Sequence, residues 1–166
     1  MRKTIILLAL VVLLVIPGCG GAKEVSDPNE VKLTAALDAY IQDEISTHES
    51  LPMTQRFQNA ILKKITYDIQ SYDIANGTMS VEFTYVDVLH LSDEFTEPDI
   101  TEDEYYRHCV ERISSDECKM ITEKIQVSFE TTEEGFVIIS SEPLTNVMTG
   151  GVLNYYLELL EGMDYE

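Results

Sequence analysis

The sequence predicts an α+β domain in which one curved antiparallel sheet of about four strands wraps around N-terminal helices. Apolar residues recur at helical spacing over residues 33–65. They alternate with polar residues over residues 66–91 and 119–139, as in half-buried strands. Helices that precede a set of adjacent strands are typical of the α+β class. Residues 33–166 are long enough for a single domain with its own core.

The chain begins with the pattern of a secretory signal. Arg2 and Lys3 precede an unbroken run of twelve apolar residues, 5–16. A bilayer-spanning helix needs about 20 apolar residues, so this run is too short to span and matches the apolar region of a signal peptide. The two cations orient the segment with its amino end inside.

The end of this run resembles the lipobox of bacterial lipoproteins in the residues Ile16-Pro17-Gly18-Cys19. The resemblance implies that residues 1–18 are a lipoprotein signal peptide and that Cys19 becomes the first mature residue, thioether-linked to diacylglycerol. The two acyl chains of the diacylglycerol matter for a stable anchor, because one chain alone binds a membrane only marginally. The alternative is an uncleaved apolar N-terminus with Cys19 as an ordinary buried thiol.

Residues 19–32 are predicted to be the lipidated Cys19 and a flexible tether, since they combine glycine, proline and polar residues. The protein would therefore lie at the extracytoplasmic face of the cell membrane. Gly20 after the lipidated residue favours, by resemblance, the outer membrane in a cell that has two membranes.

The charge balance excludes one class of partner. The chain has 30 acidic and 11 basic residues and a net charge of −19, and loss of the signal peptide removes two of the cations. Such a chain repels phosphate backbones, so nucleic-acid binding is not expected. It also repels anionic headgroups, so the membrane anchor must be the lipid on Cys19.

Two amphipathic helices are predicted first, each with an apolar stripe typical of a core-facing helix. The first stripe consists of Leu33, Leu37, Tyr40, Ile41 and Ile45. The second, which follows Pro52, consists of Met53, Phe57, Ala60, Ile61 and Ile65.

A β-hairpin follows. Tyr67 and Ile69 have the opposite parity to Tyr72, so a bulge near Ser71 is predicted. Asn76-Gly77 predicts a two-residue type I′ turn.

The returning strand is predicted to continue to Leu91, which gives Asp87 the same parity as Tyr85 on the apolar face. Desolvation raises the pKa of a carboxyl group and suits it to proton transfer. Tyr85, or Tyr67 across the hairpin, could then stabilise an oxyanion. The ordinary alternative is an Asp87 that reaches solvent or bonds to backbone at a strand end.

An acidic connection over residues 92–100 leads to Thr101, and Glu104 three residues later completes a capping-box pattern for a short helix. The acids at the start of this helix are favoured by the positive end of the helix macrodipole. They lack the glycine of a calcium-binding loop, so no metal site is predicted. Cys109 and Cys118 form a disulfide, remain two packed thiols, or join His108 in a weak zinc pattern.

A second hairpin is predicted over residues 119–139, with Glu123 interrupting its inner face and a turn at Thr132 to Gly135. Leu144, Val147 and Met148 then precede Gly150-Gly151. A last helix, Val152 to Glu161, is predicted to cover the open side of the sheet.

This order of elements resembles the cone-shaped nuclear transport factor 2-like and cystatin-like folds. The segments 135–138 and 144–151 resemble the ends of small lipoproteins of that fold from Clostridia-type bacteria, most of which have no assigned function. The chain departs from them in having Phe136 where tryptophan is common and in its extra C-terminal helix. The motifs concern packing and turns, so they imply a fold more than a chemistry.

The sequence favours a binding or accessory module at the cell envelope, without a cofactor, whose partner is an envelope protein or a small ligand. The alternative implied by the fold resemblance is an isomerase or cyclase that uses Asp87 with Tyr85. A solute-binding protein for a transporter is a third class, but such proteins usually have two lobes, and one domain argues against it.

Overall fold

The computed structural model describes residues 27–47, 50–94 and 100–161. The predicted signal peptide, Cys19 and most of the predicted tether lie outside them. The described residues form six helices and one four-stranded antiparallel sheet with the strand order β1-β2-β3-β4, so the predicted α+β class and strand number are confirmed. None of the described helices combines the length and apolar character that crossing a bilayer requires.

The helices and strands follow one another in the order α-α-β-β-α-α-β-β-α-α. Their bounds are α1 Pro28–Asp43, α2 Met53–Lys64, β1 Thr66–Asp73, β2 Thr78–Val86, α3 Val88–Glu94, α4 Glu102–Ser114, β3 Met120–Thr132, β4 Gly135–Ile139, α5 Glu142–Met148 and α6 Val152–Glu161.

Helix α1 begins earlier than the apolar stripe indicated. The carboxylate of Asp27 accepts a hydrogen bond of 2.8 Å from the Asn29 N–H, and Pro28 occupies the first turn, where its missing N–H costs nothing. Residues 28–32, which were predicted to be tether, are therefore helical. The stripe itself is confirmed, since four of its five members are buried: Leu33, Leu37, Ile41 and Ile45.

The hairpin of β1 and β2 is present, but its turn differs from the prediction. The register shifts between Ile69 and Ser71, which confirms the bulge. Asp73 pairs with Thr78, so four residues connect the strands and the predicted two-residue turn is wrong. The Asp73 carboxylate accepts hydrogen bonds from the backbone N–H and side-chain amide of Asn76, at 3.1 and 2.6 Å, and these bonds stabilise the wider turn.

Strand β2 ends at Val86, and the prediction that it continues to Leu91 is wrong. The Asp87 N–H still donates to the carbonyl of Lys119, the residue before β3. The Val88 N–H donates to the carbonyl of Gly150 and not to a residue next to β3. The ladder is thereby interrupted, and the chain turns into α3. The alternating apolar pattern does not show where the strand ends, because Val88 and Leu91 are buried in α3 just as they would be in a longer strand.

The main core lies between α1 and one face of the sheet. Alternating residues of β2 and β3 supply the sheet side: Met79, Val81, Phe83, Tyr85, Ile125, Val127 and Phe129. A second cluster joins the end of β2 to α2, α3 and α4, and it consists of Ile61, Val86, Val88, Leu91, Cys109 and Ile113. The two clusters place α2 and α4 side by side at one end of the sheet.

The later elements are mostly where the sequence predicts them. The Thr101 hydroxyl and the Glu104 carboxylate form the reciprocal capping box of α4. Thr132 pairs with Gly135, which confirms the second turn. Helix α6 has the predicted bounds but packs mainly on α5, and its side chains Tyr155, Tyr156, Leu159 and Leu160 are exposed. The prediction that α6 covers the sheet is therefore wrong.

Gly150 gives the first testable prediction. Its φ is +68°, and a Cβ atom there would meet a Val88 methyl group and lie 2.9 Å from the Val86 carbonyl oxygen. Gly150→Ala should therefore lower the free energy of unfolding by more than about 1 kcal/mol. Chemical denaturation measures this change.

Gly135→Ala is the matched control, since Gly135 also has a positive φ but no atom within 4 Å of its Cβ position. We expect a smaller loss for this variant. An equal or greater loss than for Gly150→Ala would contradict the close approach at Gly150.

Candidate functional site

Tyr85 is held inside the protein by a carboxylate. Its side chain is only 2% exposed, and its hydroxyl donates a 2.7 Å hydrogen bond to Glu123 on β3. Burial, followed by the bond to Glu123, raises the pKa of Tyr85 far above its ordinary value. The phenol therefore stays protonated, and its O–H remains the donor of the hydrogen bond to Glu123.

Asp87 lies at the junction of β2 and α3, outside the strand. Its carboxylate accepts a 3.0 Å bond from the His90 N–H and lies 3.1 Å from Lys119 Nζ, and its side chain is 13% exposed. Burial acts to raise its pKa, but the bonds from His90 and Lys119 outweigh it and hold the pKa below the ordinary value. The predicted position on the apolar face and the predicted raised pKa are both wrong.

Tyr67, the alternative phenol, is engaged by α1. Its hydroxyl donates a 2.6 Å bond to the Asp38 carboxylate, and burial together with this bond raises its pKa strongly. Asp38 thus accepts the hydroxyl bond of Tyr67 in the way that Glu123 accepts that of Tyr85. Tyr67 and Tyr85 therefore each donate to a carboxylate other than Asp87.

Cys109 and Cys118 are separate thiols, so the structure has the second of the three predicted arrangements. Cys109 is fully buried on α4, and burial raises the pKa of its thiol. The described residues contain no group of three or more histidine, cysteine or acidic side chains placed to hold a metal ion. His108 therefore completes no zinc site with the two cysteines.

A groove between α2 and α4, with a volume of about 390 Å³, is the candidate site. We call it the α2–α4 groove. One wall is a single face of α2, because its residues recur three and four positions apart. The lining residues are Leu51, Arg56, Asn59, Ala60, Lys63, Lys64, Val110, Ile113 and Ser114.

The α2–α4 groove has a basic rim and an apolar floor. Arg56 Nε donates a 3.1 Å bond to the Leu51 carbonyl, and Lys64 Nζ donates a 3.3 Å bond to the Ser115 carbonyl. No ion pair among the described residues uses Arg56, Lys63 or Lys64. Ile113, 1% exposed, is the most deeply buried part of the floor.

The wall of the groove is fixed by a buried amide. Asn59 accepts a 3.1 Å bond from the Ser46 N–H and donates a 2.8 Å bond to the Ser46 carbonyl. Both polar atoms of the Asn59 side chain are thereby satisfied, although the residue is only 7% exposed. This pair ties the segment after α1 to α2 and positions the face that carries the cations.

Sequence reasoning missed this groove. The pattern of α2 predicts a core-facing apolar stripe, and a net charge of −19 does not point to a basic site. A weak signal was present, because Arg56 and Lys63 are seven residues apart and so share one face of a helix. Which helix would lie opposite that face was not visible in the sequence.

Two further grooves lie elsewhere on α2. One, of about 250 Å³, is mainly apolar and lies beside the ring contact of Phe57 and Tyr106, whose centroids are 5.3 Å apart. The other, of about 290 Å³, is lined by side chains of α1, α2 and α5, including Tyr40, Glu44 and Thr145. Neither has a basic lining residue, so the α2–α4 groove differs from both in charge.

Comparisons of the chain with protein-family models, with curated proteins and with solved structures found no match.

The charge of Asp87 gives a second prediction, on pH dependence. Because its folded-state pKa lies below the ordinary 3.8, the ionised group stabilises the fold above that pH, and this contribution is lost as the pH falls through the folded-state value. Asp87→Asn keeps a capping oxygen but loses the charge. We expect it to cost about 1 kcal/mol at neutral pH.

Urea denaturation of both proteins from neutral to acidic pH measures this difference, which should shrink towards zero below the folded-state pKa. Lys119→Gln removes the ion pair but leaves the His90 bond, so its loss at neutral pH should be the smaller one. A difference between Asp87→Asn and the parent protein that does not change with pH would show that the charge is not the stabilising feature.

Proposed function

We propose that the protein is a lipid-anchored extracytoplasmic lipoprotein whose domain, of the nuclear transport factor 2-like kind, is a binding or accessory module of the cell envelope. The anchor is the lipid on Cys19. The α2–α4 groove is the ligand site. The ligand is a small molecule or part of an envelope partner.

The anchor is supported by the sequence. Two cations, a twelve-residue apolar run and Ile16-Pro17-Gly18-Cys19 occur in the order that lipoprotein export requires. The position of α1 fits this arrangement. It begins at Pro28, so only a short segment separates the domain from Cys19, and the domain would be held close to the membrane.

The nuclear transport factor 2-like assignment is supported by the element order and by the core. Two helices precede a four-stranded meander, and the apolar residues Leu33, Leu37 and Ile41 of the first helix share one core with the inner sheet face. The bend of β1 at its bulge also favours a sheet that curves over this helix.

A binding role, rather than catalysis, is supported by one observation above all. The groups that suit proton transfer, Tyr85 and Asp87, are committed to Glu123, His90 and Lys119. The α2–α4 groove, in contrast, is open and has cations with no acidic partner among the described residues. We therefore favour the binding module over the isomerase or cyclase alternative.

The third prediction tests the anchor. Cys19→Ala removes the sulfur to which the diacylglycerol would be attached, so we expect unprocessed precursor of higher polypeptide mass that carries no diacylglycerol. Mass spectrometry and metabolic labelling with a fatty acid measure both changes. Extraction with carbonate and detergent phase partitioning then report how each form is attached.

Cys118→Ala is the matched control, because it removes a thiol that has no part in the anchor. It should be processed and acylated as the parent protein is. Mature protein with an unmodified Cys19 thiol would overturn the proposed anchor.

A further inference from the structure

We propose that the α2–α4 groove binds a small organic phosphate. The phosphate would lie among Arg56, Lys63 and Lys64, and the organic part would lie against the apolar floor. This inference rests on the proposed binding role and gives the site a class of ligand.

The first argument is the local charge. The chain has 30 acidic and 11 basic residues, yet three of the basic residues line one groove and no described ion pair neutralises them. Among the described residues outside the groove, Arg107, Arg112 and Lys119 pair with acids, whereas Lys32 and Lys124 do not, so the groove is distinguished by having three unpaired cations in one lining. Adjacent like charges repel one another, so an unneutralised group of cations favours an anion between them.

The helix macrodipole explains part of this group but not all of it. Lys63 and Lys64 lie in the last turn of α2, where the partial negative charge of the helix end favours cations. Arg56 is the fourth residue of the helix, near the end where a cation is not favoured. The macrodipole therefore does not account for Arg56.

The orientation of Arg56 suits a phosphate. The bond from Nε to the Leu51 carbonyl fixes one edge of the guanidinium group and leaves the four N–H groups of its two terminal nitrogens available. This planar array matches two phosphate oxygens at once. Lys63 and Lys64 follow about 10 Å further along the helix axis, a distance that the long side chains of Arg56 and Lys63 can span towards one phosphate. Lys64 Nζ is held by its bond to the Ser115 carbonyl.

The apolar floor and the volume argue for an organic ligand rather than a bare ion. Leu51, Ala60, Val110 and Ile113 line the groove together with the cations. About 390 Å³ is within the usual range for small-molecule sites. A phosphate monoester carries a charge of about −1.5 to −2 at neutral pH, which suits three cations better than a single carboxylate does.

The ligand phosphate has two sources of the same chemistry. One is a soluble phosphate monoester, and the other is the phosphomonoester headgroup of phosphatidic acid in the membrane. The proposed anchor would hold the domain close enough to the membrane for the second source. Nanodiscs of defined lipid composition distinguish the soluble ester from the lipid headgroup.

The fourth prediction concerns binding of phenyl phosphate to the purified full chain in a neutral detergent, measured by isothermal titration calorimetry. Phenyl phosphate should bind more tightly than inorganic phosphate, which has no apolar part, and than benzyl alcohol, which has no charge. Its affinity should fall as salt is added. Absence of phenyl phosphate binding, or binding no tighter than that of benzyl alcohol, would overturn the proposal.

Charge-matched variants localise the site. Arg56→Gln combined with Lys63→Gln should weaken phenyl phosphate binding about tenfold or more, since two charge-assisted contacts are lost. Lys32→Gln combined with Lys124→Gln removes the same charge from exposed positions outside the groove and should change Kd less than about twofold. Equal weakening in the two double variants would overturn the groove as the site. Thermal melts of both variants establish that each is folded.

Nanodiscs separate the two sources. The lipidated protein is placed in phosphatidylcholine discs, in discs that contain phosphatidic acid, and in discs of equal charge that contain phosphatidylserine. If the headgroup is the ligand, phosphatidic acid alone should compete with phenyl phosphate. If the ligand is soluble, the two anionic discs should give the same Kd. Phenyl phosphate that fails to bind in phosphatidylcholine discs would contradict the proposal in either form.

The detergent titration does not depend on the anchor. A bare Cys19 thiol would end the proposed lipoprotein function and leave the titration result valid. Loss of phosphate binding with an intact lipid on Cys19 would instead end only the inference about the ligand.

Discussion

The structure depends on the burial of one face of β2. This strand pairs with β1 on one side and β3 on the other, and its inward side chains Met79, Val81, Phe83 and Tyr85 are at most 2% exposed. Each large apolar side chain buried in this way stabilises the fold by about 1.5–3 kcal/mol. Helix α1 supplies the opposite layer. The positions of β3, β4 and α5 follow from this contact, because the same cluster includes their buried residues.

The point at which β2 ends determines the surroundings of Tyr85 and Asp87, the predicted catalytic pair. Asp87 stabilises the start of α3 and pairs with Lys119, while Gly150 accepts the hydrogen bond of Val88. A carboxylate that works as a helix cap and an ion-pair partner has a lowered pKa, which is the opposite of what a general acid at neutral pH needs. Tyr85 and Asp87 are two residues apart, yet only Tyr85 lies on the strand.

The net charge of the protein is negative, whereas the charged side chains that line the α2–α4 groove are positive. A net charge of −19 sets the long-range field and repels anionic surfaces. At physiological salt that field decays over about 8–10 Å, so three cations within one groove still attract an anion at close range. An acidic exterior with a basic groove would keep large polyanions away and admit a small one. If the groove binds a phosphate as proposed, its apolar lining at Ile113 would add selectivity for an organic anion.

The sequence by itself determined the features that depend on neighbouring residues. These include the α+β class, the start of α2, the capping box of α4, the bulge near Ser71 and the bounds of α6, because period, caps and glycines act within a few residues. The predicted signal and Cys19 also rest on local pattern alone. Only the tertiary structure decided where β2 ends, what Asp87 contacts and that α6 packs on α5. The α2–α4 groove belongs to this second group. It forms only where two helices that start 49 residues apart, at Met53 and Glu102, come together although a hairpin and α3 lie between them in the chain.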